Sequence, residues 1–165
     1  MRMLLLLSGL MGIYIVILYS SCSKDDKEEQ VCKGLITNTE GTNDPARIYM
    51  PEIFSPDGNG LNDVLRPIAI YIHSIDYTVY DSDFDVVYSS KDLNGGFEPD
   101  NPQSIYYYRI QAATDSAHQI GICGKVYCIE NCIPTDLLDQ NLVFADQIDP
   151  YHGFVLPTAE TPCKK

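Results

Sequence analysis

The sequence predicts an all-β protein, with an antiparallel β-sandwich over residues 31–132. Two observations predict this class: the composition, and the spacing of the apolar runs. The chain contains twelve Tyr, eleven Gly and ten Pro but no Trp, which favours short strands and tight turns over long helices. Beyond residue 30 the apolar residues show no clear 3.6-residue period, so we expect no long amphipathic helix there.

Six short apolar runs, each bounded by turn-forming residues, are interpreted as strands. In chain order they are residues 48–54, 64–72, 77–80, 86–88, 105–112 and 119–129. A further short strand is expected at residues 31–36, and residues 114–118 are expected to form the loop between the last two strands. Residues 133–165 are interpreted as an extension that forms an edge strand, a strap over the domain, or a loop.

Residues 1–21 have the features of a bacterial lipoprotein signal peptide. Arg2 supplies a positive charge, residues 3–18 are almost all apolar, and small residues precede Cys22. In the signals that this segment resembles, the cysteine becomes the lipidated first residue, so we expect lipidation of Cys22. Tyr19 stands where such signals usually carry Leu. The alternative is an uncleaved membrane anchor, because the apolar run approaches the roughly 18–20 residues that span a bilayer.

Residues 22–30 form an acidic segment without large apolar side chains. Because such a run buries little surface, it is predicted to be a disordered tether. Lys24, Asp25 and Asp26 also resemble the surface-export signal of Bacteroidetes lipoproteins, a Lys followed by acidic residues close to the lipidated cysteine. That resemblance implies a protein held by lipid in the outer membrane and exposed on its outer face.

Residues 50–68 are the most distinctive stretch, because two apolar segments flank a loop rich in Asp, Asn, Gly and Pro. Side chains of this kind bond nearby backbone N–H groups, so the loop is predicted to be a self-bonded turn. Asp57, Asn59 and Asp63 also place oxygen atoms on alternate residues, as calcium loops do. The EF-hand pattern is not met, since Ile68 occupies the position of its Glu. A weak Ca²⁺ site is therefore the alternative, and no other cofactor is expected.

The same stretch carries a family resemblance. Residues 50–63 read Met-Pro-Glu-Ile-Phe-Ser-Pro-Asp-Gly-Asn-Gly-Leu-Asn-Asp. This resembles the opening of the gliding-motility-associated C-terminal domain family of Bacteroidetes, which is also the type B sorting domain of type IX secretion. The family pattern is apolar-Pro-Asn-x-Phe-Ser/Thr-Pro-Asn-Gly-Asp-Gly-x-Asn-Asp, and Asn and Asp are exchanged here at positions 57 and 59. The resemblance implies an Ig-like β-sandwich and identifies a module rather than an activity.

The resemblance covers residues 48–130 and weakens along the chain. Residues 104–110 look like the Gly-x-Tyr-x-Tyr strand of the family, and residues 124–129 look like its closing Gly-x-Val strand. Residues 80–88 lack the Arg-Trp-Gly element that is usual there. The family domain normally ends its protein, whereas here residues 133–165 follow it, so a working C-terminal secretion signal is not expected.

The cysteines predict disulfide bonds. With Cys22 assigned to lipid, the remaining candidates are Cys32, Cys123, Cys128, Cys132 and Cys163, and outside the cytoplasm such residues more often form disulfides than metal sites. One option is a local bridge within residues 123–132. Cys32 and Cys163 pair with each other or with that cluster, and the sequence does not decide between these. Zinc is less favoured, because the three histidines lie outside the cluster.

Catalysis finds little support in the sequence, and we expect a protein that is not an enzyme. The chain lacks Gly-x-Ser-x-Gly, His-Glu-x-x-His and phosphate-loop patterns. Sequence alone leaves open the paired carboxylates of a glycosidase. Residues 115–117, Asp-Ser-Ala, resemble the O-glycosylation site of Bacteroidetes, which makes Ser116 a candidate for modification.

The tyrosines on the predicted strands are expected to pack half-buried on the sheet. They are Tyr77, Tyr80, Tyr88, Tyr106, Tyr107 and Tyr108. The alternative is an exposed aromatic face that binds sugar rings.

These observations predict a non-catalytic binding or assembly module on the cell surface. The formal charge of −12 argues against a nucleic-acid partner, because phosphates require a basic face. The expected partner is an envelope protein or an extracellular glycan, with residues 57–63 and 95–101 as candidate contact loops. One alternative is a glycan-binding or glycan-processing accessory lipoprotein of a nutrient-uptake system, and another is a remnant sorting or gliding component.

Overall fold

The computed structural model describes residues 24–152 and 154–164 of the chain. The helices in this part are α1 Lys24–Cys32 and α2 Thr135–Leu138, with a 3₁₀ turn at Ala145–Gln147. The strands are β1 Arg47–Tyr49, β2 Ile53–Phe54, β3 Ile68–Ile70, β4 Ile72–Tyr80, β5 Val86–Ser90, β6 Ile105–Thr114, β7 Gln119–Cys128, β8 Ile148–Asp149 and β9 Phe154–Val155. Most of the regular secondary structure in this part of the chain is β-strand, which confirms the all-β prediction. None of the helices in the described ranges has the length and apolar character needed to cross a membrane.

A five-stranded sheet in the order β2-β7-β6-β4-β5 forms the centre of the protein. The adjacent strands among β7, β6, β4 and β5 pair antiparallel with one another, whereas the short edge strand β2 runs parallel to β7. The hairpin β6–β7 is the longest paired unit, with Ile110 opposite Ile122 near its middle. Two smaller antiparallel sheets consist of β1 with β3 and of β8 with β9.

One face of the central sheet carries the main hydrophobic core. Side chains alternate along a strand, so every second residue of β4, β6 and β7 points to this face. The buried members of this set are Ile75, Tyr77, Val79, Tyr106, Ile110, Ala112, Ile120, Val126 and Cys128. Phe54 of β2 and Phe97 of the segment between β5 and β6 enter the same core, and Ile48 of β1 and Ala69 of β3 pack against it.

The N-terminal segment differs from its prediction, because Lys24–Cys32 forms the helix α1 and not part of a disordered tether over residues 22–30. Val31 of this helix is buried, and Cys32 is disulfide-bonded to Cys123 of β7. The guanidinium of Arg109 donates hydrogen bonds to the carbonyl oxygens of Val31 and Lys33, at 2.9 and 2.6 Å. These contacts satisfy carbonyl groups that a helix end leaves unpaired.

The predicted strand at residues 31–36 is therefore wrong. The first two of these residues end α1, and the next ones run as a strap without strand pairing. Gln111 holds the strap from both sides of Ile36: its amide oxygen accepts the Ile36 N–H at 2.9 Å, and its amide nitrogen donates to the Ile36 carbonyl at 3.0 Å. Arg109 and Gln111 alternate with the core-facing residues of β6, so α1 and the strap cover the opposite face of the sheet.

The C-terminal extension packs on the domain beside β2 and forms a second strap, which we call the C-terminal strap. The N–H of Glu52 donates to the carbonyl of Val143 at 2.8 Å, and Phe144 is buried in a second cluster with Ile53 and Ile129. Farther along, β8 and β9 form a small hairpin. The C-terminal strap therefore covers the β2 edge of the central sheet.

Two of the predicted strands are split in the structure. Residues 48–54 divide into β1 and β2 around Pro51, which lacks the N–H that a strand ladder requires. Residues 64–72 divide into β3 and β4 at Tyr71, whose φ of +56° interrupts the extended backbone. The later strands coincide with predicted ones, although β4 begins five residues before the predicted 77–80.

Candidate functional site

The carboxylate of Asp63 closes the loop that contains the predicted calcium ligands. Its Oδ1 accepts the Gly58 N–H at 2.8 Å, and its Oδ2 accepts the Gly60 N–H at 2.6 Å. Both glycines have positive φ, 77° and 87°, a conformation that glycine adopts without steric cost. This one side chain therefore holds the N–H groups of both glycines.

The other two predicted ligands, Asp57 and Asn59, also bond within the loop. The Asp57 carboxylate accepts hydrogen bonds from the backbone N–H and from the side-chain amide of Asn59, both at 3.0 Å. The Oδ1 atom of Asn59 accepts the backbone N–H of Leu61 at 2.7 Å. These are the contacts of the self-bonded turn. Within residues 24–152 and 154–164, no three His, Cys, Asp or Glu side chains are arranged to hold a metal ion. A calcium site at Asp57, Asn59 and Asp63 stays a prediction.

Asn62 joins this loop to the C-terminal extension, a contact that the sequence did not indicate. Its Nδ2 donates to Asp146 Oδ1 at 3.1 Å and to Glu160 Oε1 at 3.2 Å. In return, the Asp146 N–H donates to Asn62 Oδ1 at 3.1 Å. Glu160 is buried, and this burial raises the pKa of its carboxyl; the Asn62 hydrogen bond opposes the rise, and the nearby carboxylates add to it. The extension therefore fixes the loop from outside.

The second predicted contact loop, residues 95–101, borders an open depression of about 440 Å³. Phe97 anchors the loop: its N–H and C=O exchange backbone hydrogen bonds with Leu65, both at 2.9 Å, and its ring centroid lies 5.0 Å from that of Tyr106. Glu98 and Asp100 are exposed and line the same depression. The loop thus combines a fixed aromatic base with a charged, accessible rim.

Strand β5 contributes Val87 and Tyr88 to this depression and forms an open edge of the central sheet. Its pairing partner is β4, and in the described part of the chain no backbone hydrogen bond reaches its other side. Val86 and Val87 are 59% and 40% exposed. The depression and the strand together, residues 86–90 with the loop 95–101, are the candidate functional site, which we call the β5 surface.

A buried carboxylate beneath the β6–β7 hairpin was missed by the sequence analysis. Asp44 Oδ2 accepts a hydrogen bond from Thr114 Oγ1 at 2.6 Å and lies 2.7 Å from His118 Nδ1, and Oδ1 accepts the Ala46 N–H at 3.0 Å. These hydrogen bonds, the one from Thr114 foremost, lower the pKa of Asp44 to about 2.

This group resembles a catalytic triad in composition but not in arrangement. In a triad the hydroxyl bonds to the histidine, which in turn bonds to the acid. Here the side chains of Thr114 and His118 both contact the carboxylate, and Thr114 is buried. The arrangement ties the segment before β1 to the hairpin and offers no accessible nucleophile.

The disulfides are Cys32–Cys123 and Cys132–Cys163, and Cys128 is a buried free thiol. Both Cys32 and Cys163 thus pair with the cluster, and neither a local bridge nor a Cys32–Cys163 bond forms. The strand period accounts for the absence of a Cys123–Cys128 bridge, because these residues are five positions apart on β7 and point to opposite faces. Burial raises the pKa of the Cys128 thiol to about 12, which keeps it protonated and unreactive.

Three of the strand tyrosines, Tyr80, Tyr88 and Tyr108, are half-buried on the sheet as predicted, whereas Tyr77, Tyr106 and Tyr107 are buried. Tyr77 and Tyr106 are 0% and 2% exposed. Their hydroxyls bond to the backbone: Tyr77 Oη donates to the Leu65 carbonyl at 3.3 Å, and Tyr106 Oη accepts the Gln103 N–H at 2.9 Å. The rings of Tyr77 and Tyr106 are therefore part of the core and are not a surface for sugars.

Two further predictions concern modification and export. Ser116 is exposed in the loop between β6 and β7, where the sequence placed it, and its glycosylation stays a prediction. Cys22 and the signal segment 1–21 lie outside the described residues. Lys24, Asp25 and Asp26 begin α1, and their role in export stays a prediction.

Comparison with protein-family models, with curated proteins and with solved structures finds no match for this chain. The likeness to the gliding-motility-associated family therefore depends on the residues of the chain itself, above all 50–63.

Proposed function

We propose that this chain is a lipid-anchored protein of a Bacteroidetes bacterium that acts on the outer face of the outer membrane as a non-catalytic binding or assembly module. The observation that carries the proposal is the direct succession of a lipoprotein-like signal, residues 1–21, and a disulfide-bonded β domain. Disulfides form and persist outside the cytoplasm. The bonds Cys32–Cys123 and Cys132–Cys163 therefore support export of the domain.

The domain is further proposed to be an Ig-like β-sandwich related to the gliding-motility-associated family. The core between the central sheet and the β1–β3 pair supports a two-layered arrangement. The motif of residues 50–63 supports the kinship, since it supplies β2 and the self-bonded loop. Residues 133–165, which have no counterpart in the family, pack beside β2 and hold that loop through Asn62.

A role without catalysis is supported by the use that the domain makes of its polar side chains. Asp44 and His118 tie segments of the fold together, and Asp57 and Asp63 bond to their own loop. What the domain offers instead is a loop on a rigid scaffold, residues 95–101, beside an exposed strand. Such surfaces are typical of binding modules.

Protease treatment of intact cells tests the location, with metabolic labelling by a clickable fatty acid as the test of lipidation. The wild-type chain should incorporate the label and be cleaved on intact cells, and Cys22→Ser should abolish labelling. Replacement of Lys24, Asp25 and Asp26 by Ala should leave labelling intact but protect the domain until lysis. Protection of the labelled wild-type chain would place the module in the periplasm and overturn the proposal of surface display.

A second candidate function is glycan binding. The specific observation in its favour is that the depression of about 440 Å³ is lined by Glu98, Asp100, Asn101 and Gln103, side chains that hydrogen-bond sugar hydroxyls. A glycan array probed with the purified chain, and repeated with Asn101→Ala, tests it. Binding that is lost in this variant would favour the glycan; binding that survives would place the sugar elsewhere.

A further inference from the structure

We infer that the open edge of β5 binds an extended, basic segment of a partner protein as an added strand of the central sheet. This inference rests on the proposed role as a binding module, and it names the surface and the chemistry of the partner. It is argued from the free edge, from the charges around it and from the adjoining depression.

The two edges of the central sheet differ in what lies beside them. At the β2 edge, the backbone of Glu52 pairs with Val143 of the C-terminal strap. At the β5 edge, alternate residues of 86–90 direct their N–H and C=O groups away from β4, because only every second residue of an antiparallel pair bonds to a given neighbour. Free backbone groups in a row are the template that strand addition requires.

The charges around β5 select a basic partner. Residues 81–100 contain six acidic side chains and one basic one, Lys91. Asp83 and Asp85 are exposed immediately before the strand, and Glu98 and Asp100 are exposed on the loop beside it. A second copy of the chain would bring the same acids to the same edge, which disfavours self-pairing. A strand that carries Lys or Arg relieves this repulsion.

The depression gives such a strand a place for a side chain. Val87 and Tyr88 of β5 line it together with Phe97, Glu98 and Asp100. Since every second side chain of an added strand points to the same face of the sheet, one long cation can cross the apolar base and reach the acidic rim. Lys and Arg suit this position, because their apolar stems pack on such surfaces while the charge stays in water.

Protection of the edge is the competing explanation of the same acids. Natural sheets place charges and bulges at their edges to prevent aggregation, and the pairing of β4 with β5 is irregular between Val79 and Tyr80. Both explanations predict that the chain does not pair with itself. Only strand addition predicts a complex with a basic strand whose stability depends on particular backbone N–H groups.

The test uses the full-length chain in detergent and a fluorescent nine-residue peptide of alternating Lys and Val. Fluorescence anisotropy should show binding, and a Glu–Val peptide should not bind. Two further Lys–Val peptides carry backbone N-methyl groups, one on the odd residues and one on the even residues. Strand addition predicts that one of these binds nearly as well as the parent and the other at least about tenfold more weakly, because it loses backbone hydrogen bonds.

Charge-matched variants locate the site. Asp83→Asn together with Asp85→Asn should weaken binding severalfold at low salt. As a control, Asp136→Asn with Asp139→Asn makes the same charge change at two exposed residues, one in α2 and one directly after it. This control should leave binding unchanged. Val87→Lys, which adds a like charge to the edge, should also weaken binding, whereas Val155→Lys at an exposed valine of β9 should not.

Several results would overturn the inference. Equal binding of both N-methylated peptides would show adsorption by charge alone, and equal effects of the two Asp pairs would show that the site is elsewhere. A dimer in sedimentation that Val87→Lys dissociates would assign the edge to a second copy. If the Lys–Val peptide does not bind but the chain is cleaved by protease on intact cells, the inference fails and the proposed function stands. If the peptide binds but the chain is protected from protease on intact cells, only the proposed location is contradicted.

Discussion

Asn62 and Asp146, which are 84 residues apart, are joined by two reciprocal hydrogen bonds. The Asn62 amide nitrogen donates to Asp146 Oδ1, and the Asp146 N–H donates to Asn62 Oδ1, both at 3.1 Å. Asp146 also binds the chain beyond it, because its carboxylate accepts hydrogen bonds from the hydroxyl of Thr158 and the N–H of Ala159. The pair thus connects the loop after β2 to two segments of the extension.

Replacing Asn62 should loosen the extension. Asn62→Ala removes these hydrogen bonds and places a less tolerant residue at φ +53°, so we expect a loss of about 2–3 kcal/mol in the free energy of unfolding. Asn62→Gly removes the same hydrogen bonds but accepts the positive φ, which separates the two contributions. Urea unfolding measures both variants. Equal stability of Asn62→Ala and the wild type would contradict the role of the pair.

Glu160→Gln should stabilise the chain at neutral pH. The pKa of Glu160 is raised, chiefly by burial, so the folded chain holds this proton more tightly than the unfolded one does. Its contribution to stability is fully present below the ordinary pKa of 4.5 and falls as the pH rises through the raised value. Thermal melts should therefore show a higher Tm for Glu160→Gln at pH 7 and no difference near pH 4. A lower Tm at pH 7 would oppose this account.

Asp44 should make the protein sensitive to acid. Because its folded-state pKa is lowered from 3.8 to about 2, its stabilising contribution is present above about pH 4 and is lost as the pH falls towards 2. Asp44→Asn should lower the Tm at pH 7, and its difference from the wild type should shrink across that window. Asp115→Asn, an exposed residue of the same hairpin, is the matched control and should change the Tm little at either pH.

The two disulfides should contribute unequally. Cys32–Cys123 closes a loop of 91 residues and Cys132–Cys163 one of 31 residues. Loop-closure entropy then predicts that removing the first bond costs about 1 kcal/mol more than removing the second. Urea unfolding of the two double Cys→Ser variants, with the free energy extrapolated to water, measures this difference. A larger loss for the shorter loop would show that native contacts outweigh the chain entropy.

The strands of the central sheet were predictable because their signal is local. β6 and β7 follow from alternating apolar residues around a turn, and the loop at residues 57–63 follows from the capacity of Asp and Asn to bond nearby N–H groups. Helix α1 was not predictable from the sequence, because its stability comes from the buried Val31 and from Arg109, a residue on β6. A charged run gives no indication of a partner far away in the chain.

The candidate site was predictable only in part. The loop 95–101 was expected to make contacts, and the structure adds that it shares a depression with β5. The β5 edge is open because β5 is the last strand in the sheet order. The sequence patterns that predict strands do not predict the order of those strands in the sheet. The Asp44–His118 and Asn62–Asp146 contacts join residues 74 and 84 positions apart, and a single sequence carries no sign of such pairs.

Helix α1 lies along the sheet and does not extend away from it. Val31 is buried, Arg109 of β6 bonds to the carbonyl oxygens of Val31 and Lys33, and Cys32 is joined to Cys123 of β7. If Cys22 is lipidated as proposed, a single residue separates it from Lys24, where this helix begins. The sheet face that α1 covers would then lie nearest to the lipid headgroups, and the domain would favour partners that reside in the same membrane or reach down to it.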